Sequence, residues 1–149
     1  MPFYYVESSA LVKLYVREPG TDRMLGLAET CGPGRMTVLA LTRVEFRSAV
    51  RRRQRCGDMD MDESQTMLAR FDRHWAERFV IQPVTEIILA EAALLIDKHP
   101  LRAYDAVQLA GCNVLRSRME PENCLFVCAD QDLLAAAAHE GLTVLDPTR

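Results

Sequence analysis

The stretch FYYVESSALVKLY, residues 3–15, decides the fold because it passes from strand to helix within a few residues. Residues 3–6 are aromatic or β-branched and favour a short buried strand. The helix that follows has Ser8 or Ser9 as its predicted cap. Glu7 lies between the strand and the helix. In an open parallel sheet, ligands bind outside the carboxyl ends of the strands, so this position is a candidate for a functional site.

The rest of the chain repeats this alternation of strand and helix. Four further short runs predict strands, at residues 36–39, 79–84, 125–128 and 142–145. Helical patterns lie between them, at residues 22–29, 42–55, from Asp60 or Asp62 through Trp75, 85–98, 101–118 and 132–139. Pro83 near the end of the third strand indicates a sheet edge. The alternation is typical of an α/β protein whose parallel sheet carries helices on both faces.

Composition and charge are those of an ordinary globular chain, and we expect one domain spanning residues 1–149. The formal net charge of −3 argues against a globally basic nucleic-acid binder but leaves room for a local basic patch. The five cysteines include no CxxC pair and are interpreted as reduced thiols. No secretory signal is evident, and the apolar run at residues 87–90 is far shorter than the roughly 20 residues that span a bilayer. We therefore expect a soluble, cytoplasmic protein that does not enter membranes.

Two acidic residues come directly after predicted strands. Glu7 follows the first strand, and Asp130 follows the strand LFVCA. Each has a simpler interpretation when taken alone, because an acid near a helix N-terminus is favoured by the helix dipole. For the last helix that interpretation suits Asp132 as the cap better than Asp130, so Asp130 is the better candidate for a site.

Two further acids lie on predicted helices among apolar or small residues. Glu45 would complete a capping box with Thr42, but an ionised carboxylate on such a face needs a partner, water or a metal. Asp105 lies in the segment LRAYDAVQLA, with Leu101 and Leu109 among its helical neighbours. Asp is a poor helix-interior residue. Either Asp105 caps a helix that begins later than the pattern indicates, or it belongs to a site.

A parallel sheet can bring Glu7, Glu45, Asp105 and Asp130 to one edge. Clustered carboxylates raise one another's pKa unless a cation offsets their charge. A ligand set made of oxygens suits Mg²⁺ or Mn²⁺, and such ions activate water and stabilise a phosphodiester transition state. The basic run at residues 51–55 is either a solvated helix end or a phosphate contact for RNA.

Four blocks of sequence together resemble the PIN-domain family, and most closely the VapC-type toxins of prokaryotic toxin–antitoxin pairs. The blocks are YYVESSALVKLY, the helix that begins TRVE, LRAYDAVQLA and FVCADQDLLAAA. They stand in the family's order and cover nearly the whole chain, and LRAYDAVQLA is the most specific of them.

This resemblance implies a three-layer α/β/α sandwich with a central parallel sheet. It also implies a Mg²⁺- or Mn²⁺-dependent endoribonuclease that cuts RNA, usually as a homodimer, and is inhibited by a small cognate antitoxin. The family's acidic quartet corresponds to Glu7, Glu45, Asp105 and Asp130, with Asp132 and Ser9 as auxiliary residues. Of these, Glu7, Asp105 and Asp130 would hold the metal.

Two positions depart from the family's pattern. Glu7 stands where the family normally has Asp, and its extra methylene moves the carboxylate outward, which the strict octahedron of Mg²⁺ tolerates poorly. Cys128 stands where the family often has Ser or Thr. The alternative interpretation is therefore a weakened PIN-fold module that binds an antitoxin or RNA without cutting. A metal-dependent phosphatase acting on small phosphate esters is a third.

Overall fold

The computed structural model describes residues 2–149 and has a parallel sheet of five strands at its centre. The strands are β1 (Phe3–Val6), β2 (Met36–Leu39), β3 (Phe79–Gln82), β4 (Cys124–Val127) and β5 (Thr143–Leu145). Their spatial order is β3-β2-β1-β4-β5, and every neighbouring pair is parallel. The strand that opens the chain is therefore the middle strand of the sheet, with two strands on each side of it.

Seven α-helices join these strands. They are α1 (Ser8–Leu11), α2 (Thr21–Cys31), α3 (Thr42–Arg55), α4 (Met61–Glu77), α5 (Glu86–Lys98), α6 (Ala103–Arg116) and α7 (Gln131–His139). Asp60, one of the two acids at which the sequence allowed this helix to start, caps α4, and Thr85 caps α5. None of the helices in this described part of the chain has the length and apolar character needed to cross a bilayer.

Helices cover both faces of the sheet because alternate residues of a strand point to opposite sides. Tyr5 packs in one apolar cluster with side chains of α5, α6 and α7, Leu109 and Leu133 among them. The next residue, Val6, packs in a second cluster with side chains of α1, α3 and α4, including Phe46 and Phe71. The protein is thus a three-layer α/β/α sandwich, and the predicted fold class is confirmed.

Of the element boundaries that differ from prediction, those of β3 and α6 matter most, and proline geometry accounts for the first. β3 ends at Gln82, immediately before Pro83, and it lies at the sheet edge as that proline indicated. α6 begins at Ala103 rather than Leu101, because the backbone at Arg102 is still extended, with φ −73° and ψ 159°. This later start places the acid of LRAYDAVQLA in the first turn of its helix.

Candidate active site at the carboxyl ends of the strands

Glu7 leaves β1 with an extended backbone, φ −79° and ψ 157°, and is itself the cap of α1. Its side chain accepts a hydrogen bond from the backbone N–H of Ser9 at 2.9 Å. The prediction that Ser8 or Ser9 caps this helix is therefore wrong by one position or more. A carboxylate at the strand end reaches the first free N–H groups of the helix and takes the role expected of a hydroxyl.

The Glu7 carboxylate is buried, with only 4% of the residue exposed. Its Oε2 also accepts from the Ser9 hydroxyl, and from the Cys128 thiol at 3.4 Å. Burial raises the pKa of Glu7 to about 7, against the opposing effect of the Ser9 hydrogen bonds. Burial also raises the pKa of the Cys128 thiol, which therefore keeps its proton and can donate a hydrogen bond to Glu7.

Glu45 lies one turn into α3 and points toward α6 rather than back along its own helix. Its Oε1 accepts from the Gln108 amide at 2.7 Å and from the Ser8 hydroxyl at 3.0 Å. The capping-box interpretation with Thr42 is wrong, because Leu41 is the first flanking residue of α3 and no side chain caps it. Burial raises the pKa of Glu45, and the nearby charge of Asp105 adds to the increase.

Asp105 is in the first turn of α6 and is partly exposed to solvent. The interpretation that it caps a helix with a later start is wrong, since the helix begins two residues before it. Burial raises its pKa first, and the charge of Asp130 raises it further, while the Arg102 guanidinium opposes both. Asp130 therefore lies close enough for its charge to act on Asp105, although it comes from the start of a different helix.

Asp130 caps α7, and its Oδ1 accepts from the backbone N–H of Leu133 at 3.0 Å. The sequence favoured Asp132 as this cap, and that expectation is wrong. Asp132 is instead exposed in the first turn of the helix. The short link after β4 explains the change, because Asp130 keeps the extended backbone that a cap needs, with φ −84° and ψ 119°.

One cleft of about 860 Å³ runs along this end of the sheet. All six residues that the sequence nominated line it: Glu7, Ser9, Glu45, Asp105, Asp130 and Asp132. Glu18 joins them, and the basic side chains of Lys13, Arg52, Arg53 and Arg102 complete its charged lining. Lys13 and Arg53 both pair with Glu18, at 3.0 and 2.9 Å. The deeper part of the cleft therefore carries an excess of negative charge.

The basic run at residues 51–55 is interpreted as a solvated helix end or as a phosphate contact, and its arginines differ in which of these they fit. Arg52 is exposed and Arg53 is partly buried, and both line the cleft. Arg51 turns away from the cleft and donates to Ser64 at 3.1 Å. One side of this helix end therefore lines the same cleft as the acids, while the other side contacts α4.

The chemistry of these donors fits a hard divalent cation. Carboxylate oxygens are the ligands that Mg²⁺ and Mn²⁺ prefer. Burial is the first cause of the raised pKa values of Glu7, Glu45 and Asp105, and a bound cation would offset the cost of ionising them. Across residues 2–149, however, no three His, Cys, Asp or Glu side chains are already gathered as a metal-holding group. Oε2 of Glu7 is engaged with Ser9 and Cys128, so ligation would require these carboxylates to move toward one another.

Sequence reasoning missed the residues that hold these acids in place. Gln108 and Ser8 both donate to Glu45, and Tyr5 donates to Gln108 at 3.3 Å. Gln108 had a detectable signal, because it is a polar residue between Ala106 and Leu109 on the apolar side of a helix. Ser8 and Tyr5 gave none, since serine after a strand and tyrosine within one are both ordinary.

A family model described as PIN domain matches residues 4–139, which is most of the chain. A search of curated proteins finds no match. The matched range includes every acid of the cleft and all the strands except β5.

Three solved structures are similar to this one over almost the entire chain. FitAcB from Neisseria gonorrhoeae is 14% identical with a TM-score of 0.69, and the match covers 97% of this chain and 98% of the other. PAE2754 from Pyrobaculum aerophilum is 21% identical with a TM-score of 0.63, covering 96% and 89%. A toxin–antitoxin complex from Klebsiella pneumoniae is 13% identical with a TM-score of 0.63, covering 99% and 98%. At these identities the likeness shows the fold alone.

Proposed function

Because this chain belongs to the PIN-domain family, we propose that it is a metal-dependent endoribonuclease and the toxin of a type II toxin–antitoxin pair. PIN domains are generally nucleases and usually use divalent metal ions. The observation that carries the proposal is the convergence of Glu7, Glu45, Asp105 and Asp130 on one acidic cleft at the carboxyl ends of β1 and β4. A cleft of that charge repels phosphate unless a cation lies between them.

Glu7, Asp105 and Asp130 would hold Mg²⁺ or Mn²⁺. Such an ion, when bound, activates a water molecule and stabilises the charge that develops on the phosphate oxygens. Glu45 orients the attacking water and accepts its proton at Oε2, since both of its hydrogen bonds from the protein fall on Oε1. Arg52 and Arg102, exposed in the cleft lining, contact the flanking phosphates of the RNA.

The proposed partners are a small antitoxin and a second copy of the chain. The Klebsiella pneumoniae structure is described as a toxin–antitoxin complex, and this chain shares its fold along its whole length. An antitoxin that inhibits the enzyme would act by closing the acidic cleft. A homodimer is proposed on the family resemblance.

The decisive experiment is Mn²⁺-dependent cleavage of a mixed RNA pool by the wild type, Asp105→Asn and the control Asp97→Asn. Asp97 is an exposed acid near the end of α5 and does not line the cleft. We expect Asp105→Asn to reduce the cleavage rate by more than about a hundredfold, because it removes a charged ligand without changing the shape of the side chain. We expect Asp97→Asn to cut like the wild type. Undiminished cleavage by Asp105→Asn would contradict the proposed site.

A second candidate is a PIN-fold module that binds RNA or an antitoxin without cutting. It is favoured by the state of Glu7, whose buried carboxylate has a pKa of about 7 and already bonds Ser9 and Cys128. Calorimetric titration of the wild type and of Glu7→Asp with Mn²⁺, together with RNA cleavage by both proteins, separates the two candidates. The enzyme requires Mn²⁺ binding and RNA cleavage by the wild type. Cleavage by Glu7→Asp alone would favour the weakened module.

A further inference from the structure

Gln108 is a fully buried polar residue beside the acidic cleft, and packing in the apolar core does not explain why an amide stands at this position. It lies on α6 one turn after Asp105, and its helical neighbours Ala106, Leu109 and Ala110 are all apolar and buried. Burying an amide without hydrogen-bond partners is unfavourable. Its partners therefore decide what the residue does.

The amide nitrogen of Gln108 faces three oxygen acceptors from two other elements. It donates to Glu45 Oε1 at 2.7 Å and to Thr42 Oγ1 at 2.9 Å, with Ser8 Oγ at 3.3 Å. An amide carries only two N–H hydrogens, and the two shortest contacts account for both. The bond to Glu45 is the shortest of the three and is charge-assisted, so it is also the strongest.

The other end of the same amide is fixed to the central strand. The Tyr5 hydroxyl donates to Gln108 Oε1 at 3.3 Å, and the Tyr5 ring stacks on Phe126 of β4 with centroids 5.9 Å apart. Gly111 leaves the space for that hydroxyl, because a β-carbon at this position would collide with the Tyr5 oxygen. A flip of the Gln108 amide would place its Oε1 against the Glu45 carboxylate oxygen and lose the bond between them, whereas the hydroxyl partners could reverse their hydrogen bonds.

We propose that Gln108 is a positioning residue that transmits the rigidity of the sheet, through Tyr5, to the carboxylate of Glu45. The inference rests on the proposed nuclease function for its effect on rate, but the contact itself is testable without it. With Oε1 held by Gln108 and Ser8, the carboxylate can rotate little, and Oε2 keeps one direction for the attacking water. Displacements of about 1 Å in such groups reduce rates by up to about a hundredfold.

The test is Gln108→Met in the wild type and in Glu45→Gln, measured as kcat and KM on a fluorescent RNA substrate. Methionine matches glutamine in length but cannot donate a hydrogen bond. We expect kcat to fall about 10- to 100-fold in the wild-type background with KM within about twofold, and to change less than about twofold in Glu45→Gln. An equal loss in both backgrounds, or none in either, would overturn the proposal.

Gln82→Met is the matched control. Gln82, at the end of β3, also carries a partly buried amide that bonds to α6, donating to the Gly111 carbonyl at 3.1 Å, but it has no hydrogen bond to Glu45. We expect its kcat to stay within about twofold of the wild type. Tyr5→Phe is the milder second variant if Gln108→Met folds poorly, and we expect a smaller fall in kcat in the same direction. A kcat loss in Gln82→Met equal to that of Gln108→Met would assign the effect to the core and overturn the proposal.

Side-chain amide NMR decides the positioning role even if the wild type does not cut RNA. The Gln108 NH₂ resonances are assigned by their loss in Gln108→Met. We expect Glu45→Gln to shift them and Asp132→Asn to leave them in place. Resonances that do not move in Glu45→Gln would overturn the inference. If Glu45→Gln shifts these resonances but the wild type does not cut RNA, the contact is supported and only the proposed nuclease function is refuted.

Discussion

The acidic cleft consists of two unlike pairs of carboxylates. Glu7 and Glu45 form a deep pair, defined here as the two acids whose carboxylates are held by side chains of other elements: Cys128 for Glu7 and Gln108 for Glu45. Asp105 and Asp130 form a rim pair, partly or fully exposed, whose hydrogen bonds are to backbone near their own helix starts. The two pairs face the same space but have different relations to the fold.

The difference shows which part of the site the fold builds and which part it leaves adaptable. Glu7 is buried and Glu45 is partly buried, so the fold supplies donors to both, and each donor fixes the carboxylate a little more. The rim pair keeps water as a partner and can turn toward a cation without breaking the core. A divalent ion would therefore bind the rim pair first. Ligation by Glu7 would require its hydrogen bonds with Ser9 and Cys128 to break.

The largest expected effect is the pH dependence that the deep pair imposes on stability. The pKa of Glu7 is raised from 4.5 to about 7 in the folded protein, so folding takes up a proton between these pH values. The free energy of unfolding should fall by about 2 to 3 kcal/mol as pH rises from 5 to 8, and then level off above the folded pKa. In Glu7→Gln this fall in the free energy of unfolding should disappear. Chemical denaturation of both proteins in metal-free buffer from pH 5 to 8 measures the difference.

Asp105→Asn is the rim counterpart of that experiment. The pKa of Asp105 is also raised by burial, but the side chain is partly exposed, so its removal should flatten the pH profile less than Glu7→Gln does. If both variants flattened the profile equally, the distinction between a deep and a rim pair would fail.

Ser9→Ala should produce the next largest effect, because one hydroxyl serves two partners. Ser9 donates to Glu7, and its oxygen accepts from the Ala129 backbone N–H at 2.9 Å. Its loss leaves a buried carboxylate and a backbone N–H short of partners, and should cost about 1–3 kcal/mol of unfolding free energy. Since the Ser9 hydrogen bonds lower the pKa of Glu7, the loss of stability with rising pH should also extend to higher pH.

The control is Ser117→Ala, which removes an exposed hydroxyl that donates only to the Val114 carbonyl. Its unfolding free energy should stay within about 0.5 kcal/mol of the wild type. A Ser9→Ala variant as stable as Ser117→Ala would mean that Glu7 does not depend on its hydroxyl partner. The deep pair would then be no better fixed than the rim pair.

The fold could be predicted because it depends on periodicity alone. Short apolar runs alternate with helical patterns, which is typical of a parallel sheet, whereas the central position of Phe3–Val6 comes from the structure. The acids were identifiable because the carboxyl ends of parallel strands lie at the same edge of the sheet, although the alternation does not give the order of the strands. Pro83 even fixed which strand lies at the edge.

The caps and the supports of the acids could not be predicted, because they depend on side-chain direction across elements. Serine and aspartate are both good caps, and only the backbone at Glu7 and Asp130 decides which residue is at the cap position. The contact between Glu45 and Gln108 joins residues 63 positions apart, and no local pattern indicates it. The sequence thus identified which acids share the cleft but not what holds each of them.

Asp130→Ala against Asp132→Ala should give the smallest effect and tests the rim pair directly. Asp130 bonds the Leu133 N–H as the cap of α7, so its loss should lower the unfolding free energy by about 1 kcal/mol. Asp132 is exposed and caps nothing, so Asp132→Ala should stay within about 0.5 kcal/mol of the wild type. Asp130→Asn separates the two roles of this side chain, because asparagine also caps well but carries no charge for a metal. We expect it to retain the stability and lose the Mn²⁺ affinity, whereas a loss of both would tie this rim acid to the fold as firmly as Glu7.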